Sequence, residues 1–251
     1  MVHFVGAGSG APDLITVRGK KLLEEADVII YAGSLVNPAL LEYAKPGCEI
    51  FDSAYMTLDE VISEIEKAEK AGKTTVRLHT GDPSVYGAIR EQMDRLAPQG
   101  IEFDVCPGVS SFCGAAAALK AEYTLPNVSQ SVIITRMAGR TPVLERESIR
   151  SFAAHHATMV VFLSTGLLKE LSAELIAGGY EPDTPAAVVY KATWPDEKVC
   201  RCTVATLAQT AAENHITKTA LMVIGDCLGS DYELSRLYAP DFSTEFRKAS
   251  K

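Results

Sequence analysis

The chain has 251 residues, 47% of them hydrophobic and 22% charged, with a formal net charge of −8 at pH 7. That length holds one large α/β domain or two small ones, and the composition is that of a folded globular protein. The acidic balance argues against general affinity for nucleic acid or an anionic membrane. No apolar stretch approaches the roughly 18–20 residues of a membrane span, no signal-peptide pattern opens the chain, and a cytoplasmic location is expected.

The first apolar run, Val2-His3-Phe4-Val5, reads as a strand and leads into Gly6-Ala7-Gly8-Ser9-Gly10-Ala11. As a pattern this is G-x-G-x-x-A behind a strand, the form of a dinucleotide-binding turn. That reading makes two further demands, and both fail. A helix should open on the third glycine position with its N-terminus at the pyrophosphate, yet Pro12-Asp13 intervenes and helical periodicity starts only near Thr16. An acid should end the second strand, to hold a ribose hydroxyl, yet Val28-Ile29-Ile30-Tyr31 runs into Ala32-Gly33-Ser34.

Residues 20–26 are amphipathic. Residues 57–71 place Leu58, Val61, Ile62 and Ile65 among charges, which predicts a surface helix. A strand at 74–78, a helix at 84–96, a strand at 102–106 and a helix at 111–119 behind Ser110 as N-cap follow. The pattern breaks at 121–130 around Pro126-Asn127, where a linker is expected between domains at 1–120 and 131–251. Strands are predicted at 131–135, 159–163, 186–190, 199–203 and 220–224, with helices at 167–177 and 204–214. This alternation predicts two α/β domains with largely parallel strands. The six cysteines form no C-x-x-C pair, so they read as reduced packing thiols and no metal site is expected.

Two more glycine-bearing loops follow strands in the first half: His79-Thr80-Gly81-Asp82-Pro83 and Pro107-Gly108-Val109-Ser110-Ser111. Loops after parallel strands gather at the carboxyl edge of the sheet, where ligands bind. Apart from His79 they hold no basic residue. A neutral or zwitterionic nucleoside held by backbone groups therefore fits better than a pyrophosphate, and S-adenosylmethionine meets that description.

The stretch VGAGSGAPDLITVRG from Val5 to Gly19 resembles the N-terminal signature of the tetrapyrrole methyltransferases. RLHTGDPSVYG from Arg77 and VCPGVSS from Val105 look like the family's second and third signatures. YKATWPDEK from Tyr190 and TRMAGRTP from Thr135 resemble the narrower branch that methylates precorrin-4 or cobalt-precorrin-4 at ring carbon 11, on the corrin route to cobalamin. The resemblance implies two α/β domains with S-adenosylmethionine in the cleft between them, a tetrapyrrole substrate and a homodimer. It implies cofactor contacts at Ser9, Thr80, Gly81, Asp82, Val85, Ser110, Ser111, Ser164, Ala192, Thr219 and Ala220, many through backbone. Ser9 stands where the family usually has proline, and Ala11 where many relatives have Asp.

Methyl transfer from a sulfonium needs chiefly alignment and electrostatics from the protein. The acceptor carbon's ring must lose a proton, so a base is a candidate role, though water or the substrate could also take the proton. Asp82 and Tyr86 are the catalytic candidates. Asp82 also reads as a turn residue or a cofactor carboxylate, and Tyr86 as a packing tyrosine. His79 is a proton-handling candidate or a structural hydrogen-bonder, and His155-His156 reads as exposed loop. The substrate's acetates and propionates need local cations, and arginine's planar fork suits them. Arg136, Arg140 and Lys191 are the substrate-binding candidates, with Arg77 and Arg18 behind them. Trp194 either stacks on the macrocycle or packs. Two alternatives stand: a methyltransferase of the same superfamily acting on another tetrapyrrole carbon or on a modified histidine, and a non-catalytic ligand-binding relative.

Overall fold

A computed structural model describes residues 1–249, which form two compact units. The first comprises Met1–Gly114 together with Lys191–Glu197; the second comprises Ala115–Tyr190 and the chain from Lys198 on.

Five strands build the first unit's sheet: β1 (Val2–Gly6), β2 (Val28–Tyr31), β3 (Glu49–Asp52), β4 (Thr75–His79) and β5 (Phe103–Cys106), in the order β3-β2-β4-β1-β5. Every pairing is parallel, with β1 and β4 in register from Val2 opposite Thr75 to Gly6 opposite His79. Parallel strands are covered on both faces, which is why β2 reads as a continuous apolar run, whereas β4 buries Arg77 and His79 among its apolar residues. One core gathers Val5, Ile29, Val76 and Leu78 with Leu23 of α1 (Val17–Glu25). The other gathers Phe4 and Ile30 with Val61, Ile62 and Ile65 of α2 (Leu58–Lys70) and Leu96 of α3 (Ile89–Leu96). A capping box starts α2, Thr57 and Glu60 each satisfying the other's backbone N–H. The next helix, α4 (Ser111–Leu119), carries the chain into the second unit.

The second unit has β6 (Val132–Arg136), β7 (Thr158–Phe162), β8 (Pro185–Tyr190), β9 (Lys198–Thr203) and β10 (Ala220–Ile224), in the order β6-β7-β10-β8-β9. Helices α5 (Ile149–Ala153), α6 (Leu168–Ala177) and α7 (Leu207–Glu213) supply Ile149, Leu171, Leu175 and Leu207 to a core against Met159, Val188 and Met222. The expectation of largely parallel strands fails in this sheet. Only β6 and β7 run parallel; β10 is antiparallel to β7 and β8, and β8 to β9. A physical reason lies in chain length: only residues 191–197 join β8 to β9, too few for a crossover of about a dozen residues.

Residues 121–130 lie in the second unit. There Thr158 donates its hydroxyl to the Tyr123 carbonyl at 2.8 Å and its N–H to the Ser129 hydroxyl at 3.0 Å. The helix predicted from residue 84 begins only at Ile89, because Tyr86 and Ala88 adopt left-handed backbone, φ 56° and 50°. The short edge strand β3 and the five-residue α5 have too little periodicity to be read from sequence. Among the described residues no helix is long and apolar enough to cross a membrane, and no cluster of His, Cys, Asp or Glu is placed to hold a metal.

Candidate active site

Because β1 lies between β4 and β5, the loops that leave these three strands emerge side by side at the carboxyl edge of the first sheet. They approach backbone to backbone. The Gly81 N–H donates to the Gly8 carbonyl at 2.9 Å, and the Gly8 N–H returns a bond to the Gly81 carbonyl at 3.2 Å. A Cβ on Gly108 would lie 2.2 Å from the Gly81 oxygen and 2.7 Å from Gly6 Cα. Glycine is therefore required at Gly108 by close approach.

Asp82 ties two of these loops together. Its carboxylate accepts the Gly108 N–H at 2.8 Å, the Ser84 N–H at 2.8 Å and the Ser84 hydroxyl. Burial alone would raise its pKa, but the bonds from the Ser84 hydroxyl, the Gly108 N–H and the Ser84 N–H outweigh it and hold the group below the ordinary carboxylate value. Asp82 is thus an ionised, fully engaged acceptor. The neighbouring Thr80 has the opposite character: its hydroxyl oxygen is buried and has no hydrogen-bond partner among the described residues. Ser110 is buried, and Val85 and Ser111 are half-buried. The Ser110 carbonyl accepts the Cys113 N–H at 3.0 Å in the first turn of α4. Tyr86 is 46% exposed.

The first loop is held by the segment 191–197, a contact between residues more than 180 positions apart. The Ser9 hydroxyl lies 3.2 Å from the Thr193 hydroxyl, which also accepts the Ala11 N–H at 3.0 Å. The Trp194 ring lies so close to Gly10 that a Cβ there would sit 2.1 Å from Trp194 Cδ1. Asn37 donates its side-chain amide to the Gly10 carbonyl at 2.9 Å. This places Ser9 and Ala192 together and adds Thr193, Trp194 and Asn37 to the site. Lys191 pairs with Asp196 at 2.7 Å and stands 5.2 Å above the Trp194 ring centroid.

His79, at the end of β4, is 4% exposed, and its Nε2 atom has no hydrogen-bond partner among the described residues. Burial, helped by the Arg77 charge, lowers its pKa from 6.5 to about 3. The unfolded chain then takes up a proton below pH 6.5 that the folded chain refuses, so stability falls as pH drops through that window. At pH 5 the loss is about 2 kcal/mol, at about 1.4 kcal/mol per unit. Denaturant unfolding at pH 7 and pH 5 should show His79→Gln losing about 2 kcal/mol less than the parent. Parallel losses in the two proteins would mean that His79 is not held neutral.

In the second unit, Ser164 is fully buried; its hydroxyl donates to the Phe162 carbonyl at 2.6 Å and accepts the Met137 N–H at 2.9 Å. Thr165 donates its hydroxyl to the Ala220 carbonyl at 3.2 Å, so the Ser164 and Thr219-Ala220 positions lie close together. The Arg136 guanidinium donates to the carbonyls of Met137, Thr141 and Pro142 at 2.9–3.2 Å, stapling the loop that carries Arg140. Arg140 is exposed and makes no hydrogen bond or ion pair among the described residues.

Ten non-glycine residues among those described have left-handed backbone. Six of them, Tyr86, Ala88, Leu163, Lys191, Thr193 and Thr219, are candidate site residues or lie within a few residues of one. Such strain collects at functional sites. Ala88, Leu163 and Thr193 escape sequence reasoning because no residue type announces a positive φ outside glycine and asparagine.

A family model described as tetrapyrrole (corrin/porphyrin) methylases matches residues 1–208. A cobalt-precorrin-4 C(11)-methyltransferase of Methanocaldococcus jannaschii is 53% identical over 251 residues, covering all of this chain and 97% of that protein. Among solved structures, a cobalt precorrin-4 methyltransferase described as a cobalamin biosynthetic enzyme superposes with a TM-score of 0.89. It is 47% identical and covers 91% of this chain and 96% of its own. A uroporphyrin-III C-methyltransferase of Thermus thermophilus, solved with S-adenosylhomocysteine, gives a TM-score of 0.75 at 26% identity, over 91% and 93% of the two chains.

Proposed function

This chain belongs to the tetrapyrrole (corrin/porphyrin) methylases, and from that premise we propose that it transfers a methyl group from S-adenosylmethionine to ring carbon 11 of precorrin-4, with or without bound cobalt, in cobalamin biosynthesis. The three packed glycine loops carry the reading. They offer backbone donors and acceptors, a buried Thr80 hydroxyl without a hydrogen-bond partner among the described residues, and no ionised cation, since burial keeps His79 neutral. Such a lining fits a nucleoside bearing a sulfonium and does not fit a pyrophosphate.

When bound, S-adenosylmethionine supplies a methyl group already activated by its positive sulfur. The chain's own part is alignment and charge. Asp82 is the only carboxylate in the three loops, and its engaged, ionised state favours a cation nearby. The backbone of Gly81 and the side chains of Val85, Ser110 and Ser111 complete the proposed contacts, with Ala192 and with Ser9, which Thr193 holds. Ser164, Thr219 and Ala220 are proposed as cofactor-contact positions of the second unit. Tyr86 is proposed to orient the macrocycle. For the substrate's carboxylates we propose Arg140, carried on a loop that Arg136 stiffens, together with Lys191, whose charge Asp196 partly offsets.

The protein is proposed to act as a homodimer in the cytoplasm. Support comes from the family resemblance, and light scattering at twice the chain mass of 27.0 kDa tests the assembly. Titration calorimetry tests the nucleoside site. Heat is expected with S-adenosylmethionine and with S-adenosylhomocysteine; heat with a nicotinamide dinucleotide alone would overturn the assignment.

A further inference from the structure

Arg77 is 7% exposed in the core beneath α3 and has no carboxylate partner among the described residues. Its Nη1 donates to the Ile30 carbonyl of β2 at 3.1 Å, and its Nε donates to the Gln92 side-chain oxygen at 3.1 Å. Gln92, 5% exposed, donates its amide to the Ala88 carbonyl at 3.1 Å. The chain of bonds therefore runs from the central sheet to the residue that starts α3. A buried charge of this kind costs stability relative to an apolar residue of similar size, so folding alone does not explain it.

Ala88 closes the turn 82–88, whose geometry is unfavourable for its sequence. Tyr86 and Ala88 are both left-handed without being glycine, and between them a Cβ on Gly87 would sit 2.2 Å from the Pro83 carbonyl oxygen. Strained backbone persists only where its surroundings hold it. Asp82 anchors the start of the turn through Ser84. At the other end Ala88, the N-cap of α3, has no side chain that can cap the helix, and the Gln92 amide bonds its carbonyl from within the core.

We propose that Arg77, acting through Gln92, is a positioning residue that holds the Tyr86 turn in the geometry needed to orient the tetrapyrrole. This rests on the proposed role of Tyr86. Gln92→Leu and Arg77→Met keep side-chain bulk and remove the relay. Each should raise KM for the tetrapyrrole or lower kcat so that kcat/KM falls at least tenfold, while affinity for S-adenosylmethionine stays within about threefold. Adding Ala88→Gly to Gln92→Leu relieves the left-handed strain and should restore most of kcat/KM, a rescue that a merely structural loss would not show. Tyr86→Ala is measured alongside. If Tyr86→Ala leaves tetrapyrrole kinetics unchanged, the reading of Tyr86 fails and takes the relay with it. If Tyr86→Ala impairs them but folded Gln92→Leu keeps parental kinetics, or if nucleoside affinity falls in step with turnover, the relay alone is overturned. Should Arg77→Met fail to fold, Gln92→Leu with its Ala88→Gly rescue still decides the matter.

Discussion

Gly108→Ala should weaken S-adenosylmethionine binding by at least a hundredfold and remove methyl transfer with it. The added methyl would sit 2.2 Å from the Gly81 carbonyl oxygen and 2.7 Å from Gly6 Cα. All of these are backbone atoms, so no rotamer change makes room. Relief requires the loops after β1, β4 and β5 to separate, and that separation breaks the Gly8–Gly81 bonds and pulls the Gly108 N–H from Asp82. Overpacking of a tight site typically costs about 1–3 kcal/mol of stability, so the variant should still fold, with a lowered Tm. Calorimetry on the folded variant then reads the cofactor site directly. Near-parental affinity would show that the glycine contact serves folding and not the nucleoside.

Asp82→Asn separates two roles for one carboxylate. In the parent both oxygens accept, one from Gly108 and one from Ser84. Asparagine puts an NH2 group where one oxygen was, and two donors then face each other. Hydrogen bonds to charged groups contribute about 1.5–3 kcal/mol, which corresponds to roughly ten- to a hundredfold in affinity. The variant should lose that much affinity for cationic S-adenosylmethionine and less for neutral S-adenosylhomocysteine. Turnover at saturating cofactor should fall only slightly. If Asp82 is instead the base that removes the ring proton, kcat should drop by about 10²–10⁴ with nucleoside affinity intact.

Much of the first unit was legible because parallel strands covered on both faces appear as apolar runs, and the loops between them carry glycine. The late helix start that distinguishes the opening G-x-G-x-x-A pattern from a dinucleotide-binding turn is present in the structure, where α1 begins at Val17 behind Thr16 as N-cap. The direction of strands was not legible in the same way. Apolar alternation reports which residues are buried, not which way a strand runs, and the short 191–197 connector accounts for the antiparallel pairing of β8 with β9 but not for those of β10. The contact of Thr193 and Trp194 with the first loop joins residues far apart in sequence, which no local pattern encodes. The turn at Tyr86 also resisted reading: Pro83 and Gly87 disfavour helix there, but neither signals left-handed backbone at Tyr86 and Ala88, a turn bonded by Asp82 at its start and Gln92 at its end.

The central claim is best tested by incubating the protein with precorrin-4, in cobalt-bound and metal-free forms, and S-adenosylmethionine carrying a ¹³C-labelled methyl group, then locating the label by mass spectrometry and carbon NMR. The expected product of at least one form carries a single new methyl group, bonded to ring carbon 11. Absence of label from both macrocycles, or label at a different ring carbon, would contradict the account.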